Sequence, residues 1–282
     1  MQPHDSVHFH ILEDIAHDLS GDVSFPTCLD AALLVRDTLK NPFASLEKVA
    51  QVVSIEPLIS SKLLRLANSV TYNPSGKTSS DLTLAISRIG FDTVRTVSLA
   101  LAMDQMLKSR NLASYEKIAH GAWEHSIQVA AIARVLARRL GRINPEDAMM
   151  AGLVHDIGVF YLLYRASEYP TYRDNREAMV SLLAGWHEGV GNSLLHALGV
   201  PERIIEAVRD HDLLQNVETP CTVCDVLYFA NLLAGGDLEW MEREADPERM
   251  ELREADRARY QDLVDEAAEE IAKLRLALGL NS

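Results

Sequence analysis

Four stretches of the chain place ligand-type side chains on otherwise apolar helical segments. They are His125, the doublet His155-Asp156 with Gly158 close behind, His187, and the doublet His211-Asp212. An imidazole nitrogen suits a first-row transition metal, and an adjacent carboxylate adds a hard oxygen and negative charge. Four imidazoles and two carboxylates fit iron, manganese, nickel or zinc better than magnesium or calcium, which prefer all-oxygen shells. Any one of these histidines alone reads most simply as a hydrogen-bonded core or surface residue. As a set they could build a site for one or two ions in a bundle core. A cation there would bring the pKa of a ligated water toward neutrality, with Asp156 orienting the site, and phosphoester hydrolysis is the reaction such an inventory could support.

The elements that would position these residues are helical nearly throughout, and alternating Val/Ile/Thr runs bounded by turn pairs are missing. Helix ends are marked by residue type. Ser45 or Leu46 opens a helix after Asn41-Pro42, and Pro57 takes the first turn of the next. Asp81 precedes Leu82–Ile89, which Gly90 closes, and Asp92 caps a long segment to about Lys108. Ser114 leads into a helix ending at Leu140-Gly141, and Asn144-Pro145 starts the helix that carries His155 and Asp156. Further helices run from about Arg176, on either side of Gly199-Val200-Pro201, and from Pro220.

Two end segments differ from this body. His4, His8, His10 and His17 lie among acidic residues, which reads as a terminal helix rather than a metal site. From Asp246 the chain is highly charged, with a short apolar seam of Tyr260, Val264, Ala267, Ile271, Leu274 and Leu278. Docking on the body is the expectation for this seam, and a homodimer contact the alternative.

The 282 residues can bury a substantial core. The chain has 41 acidic against 27 basic side chains, and its formal charge of −14 opposes non-specific binding to nucleic acid or anionic membranes. No apolar run is long enough for a membrane span and no signal-peptide pattern opens the chain, so a cytoplasmic location is expected. Cys28, Cys221 and Cys224 are too few for a disulfide framework. The Cys221–Cys224 spacing opens a helix with no strand before it, so two small residues in a first turn is the preferred reading. Gly185, Gly189 and Gly191 follow no strand and make no dinucleotide fingerprint.

The ordered set His125, His155-Asp156, His187, His211-Asp212 resembles the HD superfamily of metal-dependent phosphohydrolases. The first half more closely resembles the HDOD (HD-related output domain) family of bacterial signalling proteins. That likeness is carried by Phe25-Pro26, by Val53-Ser-Ile-Glu56-Pro57-Leu58, by Leu63-Leu-Arg-Leu-Ala-Asn68-Ser69, and by Leu84-Ala-Ile86-Ser-Arg-Ile89-Gly90 with Val94. It spans about residues 22–235. The resemblance implies an all-α bundle with an N-terminal helical part (22–110) and an HD-like part (111–235). These would be flanked by an N-terminal extension (1–21) and a charged helical extension (236–282). It also implies that His125, His155, Asp156, His187 and His211 fall on metal-binding positions of the HD-GYP relatives, with iron the foremost metal. It further implies a regulatory module, of a kind often found beside response-regulator or other signalling domains, with output through signalling protein partners.

Departures from the enzymes are specific. Val159 replaces the lysine expected near a substrate phosphate, and Asp212 replaces a second histidine. Leu213–Pro220 stands where the GYP signature belongs, and Asn231 takes the place of the distal aspartate. A metal-bearing signalling protein is therefore expected first, a phosphohydrolase on a nucleotide or cyclic nucleotide second, and a metal-free scaffold third.

Overall fold

The computed structural model describes residues 5–20, 29–236, 238, 240 and 247–278. Phe25-Pro26, His4, Cys28 and Asp246, all singled out above, lie outside these residues. The described residues are helical and contain no strand. In chain order the helices are α1 (Asp5–Ser20), α2 (Asp30–Leu39), α3 (Leu46–Val53), α4 (Pro57–Ala67), α5 (Leu82–Leu107), α6 (Glu116–Leu140), α7 (Pro145–Val154) and α8 (Ile157–Ala166). They continue as α9 (Pro170–Arg173), α10 (Arg176–Ala197), α11 (Glu202–Val208), α12 (Val223–Ala234), α13 (Pro247–Arg259) and α14 (Leu263–Leu278). A 3-10 turn at Arg110–Tyr115 leads into α6.

Side-chain caps set many of the starts. Ser45 accepts from the Lys48 amide (3.2 Å), Asp81 from Leu84 (3.0 Å) and Asn144 from Glu146 (3.0 Å). Gly141 closes α6 in the left-handed conformation, at φ 68°. Gly90, at φ 79° and ψ 164°, occupies backbone space that only glycine adopts without strain, and it breaks α5 into two helical runs. Asp92 does not cap the second run as expected. Its carboxylate faces Arg95 (2.8 Å) and Arg203 (3.0 Å) instead. Asn68 joins α4 to the following loop by two bonds to the backbone of Ser79, 2.8 and 2.9 Å.

Pro220 stands outside the helix it was expected to begin. α12 starts after Thr222, which forms a capping box with Asp225. Cys221 consequently precedes the helix and Cys224 lies inside it; both are free thiols.

Apolar side chains pack in two clusters. The smaller joins α2 to α5 through Val35, Val49, Ile59, Leu63, Ile86 and Val94. The larger is built on α6, α7, α8, α10 and α12, and also takes in Ile11 and Ile15 of α1 and Leu263 and Ala267 of α14. In α1, His8 is buried with Nδ1 2.7 Å from the Tyr172 hydroxyl.

The charged C-terminal segment is two helices rather than one continuous seam, because the chain turns at 260–262. α14 lies on α6 of the same chain, with Leu263 and Ala267 buried. Glu270 is also buried there, bonded to Arg134 (2.7 Å) and Arg138 (3.2 Å). Among the described residues no helix is long and apolar enough to cross a membrane.

Candidate metal centre

Small residues bring the chemistry-bearing helices together. α6 presents Ala130 to α7, and a Cβ on Gly152 would lie 2.7 Å from the Ala130 Cα. Only glycine permits this approach, and it carries the end of α7 to His125, so that the His125 and His155 ring centroids are 5.3 Å apart. On the other side of the doublet, a Cβ on Gly158 would lie 1.9 Å from the His187 carbonyl oxygen. α8 therefore rests backbone-to-backbone on α10, next to His187. His155 and Asp156 do not lie within one helix, as the sequence suggested. They occupy the break between α7 and α8, where Asp156 has φ −99° and ψ 18°. The Asp156 side chain caps no helix and is turned toward the histidines.

Three of the histidines are held in the same way. Nδ1 of His155 is 2.8 Å from the Gly152 carbonyl, that of His187 is 2.8 Å from Leu183, and that of His211 is 2.8 Å from Val208. A carbonyl can only accept, so each Nδ1 carries the proton and a neutral ring keeps its Nε2 lone pair free. Such outer bonds are what orient a metal-ligating imidazole. The three Nε2 atoms converge on Asp156. Its Oδ2 is 3.3 Å from His155, and its Oδ1 is 3.2 Å from His211 and 3.8 Å from His187. Asp212 closes the far side, with Oδ2 3.3 Å from His187 and Oδ1 3.6 Å from His211.

His125 differs from the other three. Its Nε2 is 2.9 Å from the Asn231 Oδ1, and its Nδ1 is buried with no hydrogen-bond partner. Asn231 itself lies close to the Asp212 carboxylate, at 3.5 Å.

Burial by itself would raise the Asp156 carboxyl, but His155 and His211 more than offset this and hold it well below the usual carboxylate range. For His211 burial acts against the charged form, yet the hydrogen bond to Asp156 and the charge of Asp212 lift it to about 9. His187 is raised against its own burial by the facing Asp212 carboxylate, and Asp212 is correspondingly lowered despite burial. His125 is lowered, first by burial and then by the neighbouring His155.

All six expected site residues come together: His125, His155, Asp156, His187, His211 and Asp212. Their donor atoms fall into two groups, each compact enough to surround one cation. One is His125, His155 and Asp156; the other is His187, Glu188, His211 and Asp212, with the donors of each group within 4.8 Å of one another. Asp156 faces both. The Nε2 atoms of His155 and His187 are buried and make no well-formed hydrogen bond, facing carboxylate oxygens at 3.3 Å in an arrangement that a metal could enter. Glu188 was missed from sequence, although it directly follows His187. Val159 is fully buried in the core and contributes no cation. Beside the centre a solvent-open hollow is lined by His211, Asp212, Tyr228, Asn231, Leu232 and Arg253.

Comparison with curated proteins finds no match. Among solved structures, a Shewanella amazonensis SB2B protein named provisionally as a metal-dependent phosphohydrolase is 21% identical, with a TM-score of 0.70 over 99% of this chain and 100% of its own. A Marinobacter aquaeolei VT8 protein named provisionally for signal transduction is 18% identical, with a TM-score of 0.57 over 99% of this chain and 66% of its own. An HDOD domain protein of unknown function from Geobacter sulfurreducens is 19% identical, with a TM-score of 0.53 over 97% of each chain. At these identities the likeness is one of fold. The HDOD domain model matches residues 25–214, well over half the sequence, and this chain belongs to the HDOD domain family.

Proposed function

We propose that this chain is a cytoplasmic bacterial signalling protein whose HD-like half holds one or two first-row transition-metal ions. Iron is the foremost candidate, with manganese, nickel or zinc as alternatives, and output passes through contacts with partner proteins. The residues that would hold the metal are His125, His155, Asp156, His187, His211 and Asp212. The observation that carries this reading is the pair of buried Nε2 atoms on His155 and His187, which make no well-formed hydrogen bond and face carboxylate oxygens of Asp156 and Asp212 at 3.3 Å. A cation seated between these imidazoles and carboxylates would take the lone pairs of both. When bound, the ion would supply Lewis acidity at the centre.

The residues of this chain define the rest. The carbonyls of Gly152, Leu183 and Val208 fix the ring orientations, and Asp156 offers one oxygen to each donor group. Two features speak for regulation over turnover: Val159 is sealed in the core, and Asn231 supplies a neutral amide where a carboxylate would strengthen the site. The names of the structural relatives cover both signal transduction and phosphohydrolase activity.

Elemental analysis of protein purified without a histidine tag tests the reading. Stoichiometric transition metal is expected, and it should be lost in His155→Ala together with a lower melting temperature. Absence of metal, with His155→Ala as stable as the parent, would overturn it. A second reading, a phosphohydrolase acting on a nucleotide or cyclic nucleotide, is favoured by the solvent-open cavity that reaches His211 and Asp212. Turnover with added iron or manganese that disappears in Asp156→Ala selects that reading.

A further inference from the structure

An anionic ligand at this centre would be held more firmly by a cationic side chain beside the metal. The chain carries a net charge of −14, and the position after Ile157-Gly158, where a cation was expected, is the buried Val159. The C-terminal extension brings one in. α13 buries no residue of its own, yet it is fixed across the site by bonds at two points. The Tyr228 hydroxyl of α12 donates to Asp256 (2.9 Å), and Arg259 donates to the Val217 carbonyl (2.6 Å) while its guanidinium lies 4.9 Å over the Phe229 ring. About one turn before Asp256, Arg253 donates through Nη2 to the Asp212 carbonyl (3.0 Å). It thereby joins His211, Asp212 and Asn231 in the wall of the cavity, the one arginine or lysine among the lining residues.

The donor inventory of Arg253 is only partly used. A guanidinium has five N–H donors in a planar fork. The bond to Asp212 uses one, and Nε is buried with no hydrogen-bond partner. A planar fork anchored at one corner is suited to phosphoryl oxygens, which it can grip with two parallel bonds, as a lysine cannot. An arginine held this way by the backbone of a candidate metal ligand has its charge fixed over the centre before any ligand arrives, so little ordering is left to occur on binding.

We propose that Arg253 is the anion-binding residue of this centre, receiving the phosphoryl group of a small phosphate or phosphate ester seated in the cavity over His211 and Asp212. This rests on the metal-centre reading and assigns that site its ligand class. The residue lies beyond the stretch that matches the family model, 25–214, so the ligand pocket is completed by the C-terminal segment.

Calorimetric titration of the full-length, metal-containing protein with inorganic phosphate, and separately with adenosine monophosphate, tests the proposal alongside elemental analysis and melting curves. Binding of at least one probe is expected, and the tighter of the two distinguishes a free phosphate from an ester as the preferred form. Arg253→Gln should keep its metal and its melting temperature while losing about 10- to 100-fold in affinity, the range for a charge-assisted hydrogen bond. Arg253→Lys should fall between the two. Unchanged affinity in Arg253→Gln overturns the proposal and leaves the metal centre standing. So does loss of metal together with phosphate, which would make Arg253 a tether for Asp212, and so does failure of the metal-loaded parent to bind either probe. If Arg253→Gln does not fold, Arg253→Lys decides the matter, and affinity equal to the parent's overturns the proposal. A parent protein without metal removes the centre itself, and this assignment with it.

Discussion

His211 and Asp156 hold each other in charged forms, and this has opposite consequences at the two ends of the pH scale. His211 is lifted to about 9. In chelator-treated protein the fold therefore keeps a proton that an unfolded histidine, with a pKa of about 6.5, releases. That contribution is complete below about pH 6.5 and is lost as pH rises through about 9. Asp156 and Asp212, both held below the ordinary carboxylate value, favour the fold above about pH 4 and lose this as pH falls through their folded values. The combined contribution of His211, Asp156 and Asp212 to the melting temperature of the chelated protein should be highest between about pH 4 and 6.5 and decline toward pH 9, while His125, held low, acts in the opposite sense below about pH 6.5. Transition metal, which competes with protons for the imidazoles, should move the maximum to higher pH. A flat profile from pH 6 to 9 in chelator would show that His211 does not carry the proton. The six candidate donors were legible in the sequence because each is a polar ligand type in or just after an apolar helical segment. Glu188 and Arg253 were not, since a Glu in a helix and an Arg in a charged run both read as solvated surface. Only the placement of α13 across α12 gives Arg253 its meaning.

Between elements, fit depends on glycine. At Gly158 an added methyl would meet the His187 carbonyl oxygen at 1.9 Å and the Gly191 amide nitrogen at 2.8 Å, both backbone atoms that cannot rotate away. Gly158→Ala should therefore force α8 from α10 and destabilise the protein by about 3 kcal/mol or more, toward the upper range for overpacking, with loss of bound metal. Urea denaturation and elemental analysis measure both, and a variant within about 1 kcal/mol of the parent, with metal retained, contradicts the packing described. Helix starts marked by a short polar cap, such as Ser45, Asp81 and Asn144, could be read directly. The division of α7 from α8 could not. His155 keeps helical torsions and no proline intervenes, so the chain turns there only because the two helices pack against different partners, α6 and α10. Pro220 misled for a related reason, because the reciprocal bonds of Thr222 and Asp225 define the start of α12 more strongly than a proline two residues earlier.

At the scale of the whole molecule, the family match ends at 214, but the folded unit does not. α14 inserts the buried Glu270 against Arg134 of α6, itself 3% exposed and also bonded to Glu146 and Tyr72. Glu270→Ala leaves a buried guanidinium short of one carboxylate and should cost about 3 kcal/mol, the lower end for breaking a buried pair because Glu146 remains. A loss under about 1 kcal/mol in urea denaturation would mean that α14 is not integral to the fold. The expected docking of this segment on the body is what the structure shows, through Leu263 and Ala267; the buried ion pair of Glu270 could not be read from a charged run. The contact of Gly158 with the backbone of His187 has a mechanical consequence. A joint made of main chain on main chain has no rotamers to absorb a displacement. A displacement of α10 is therefore passed to α8 and to Asp156 at its start without slack, and a displacement of Asp156 is passed back to α10 in the same way. The helix pair acts as a stiff lever, with the centre at one end and the surface of α10 at the other.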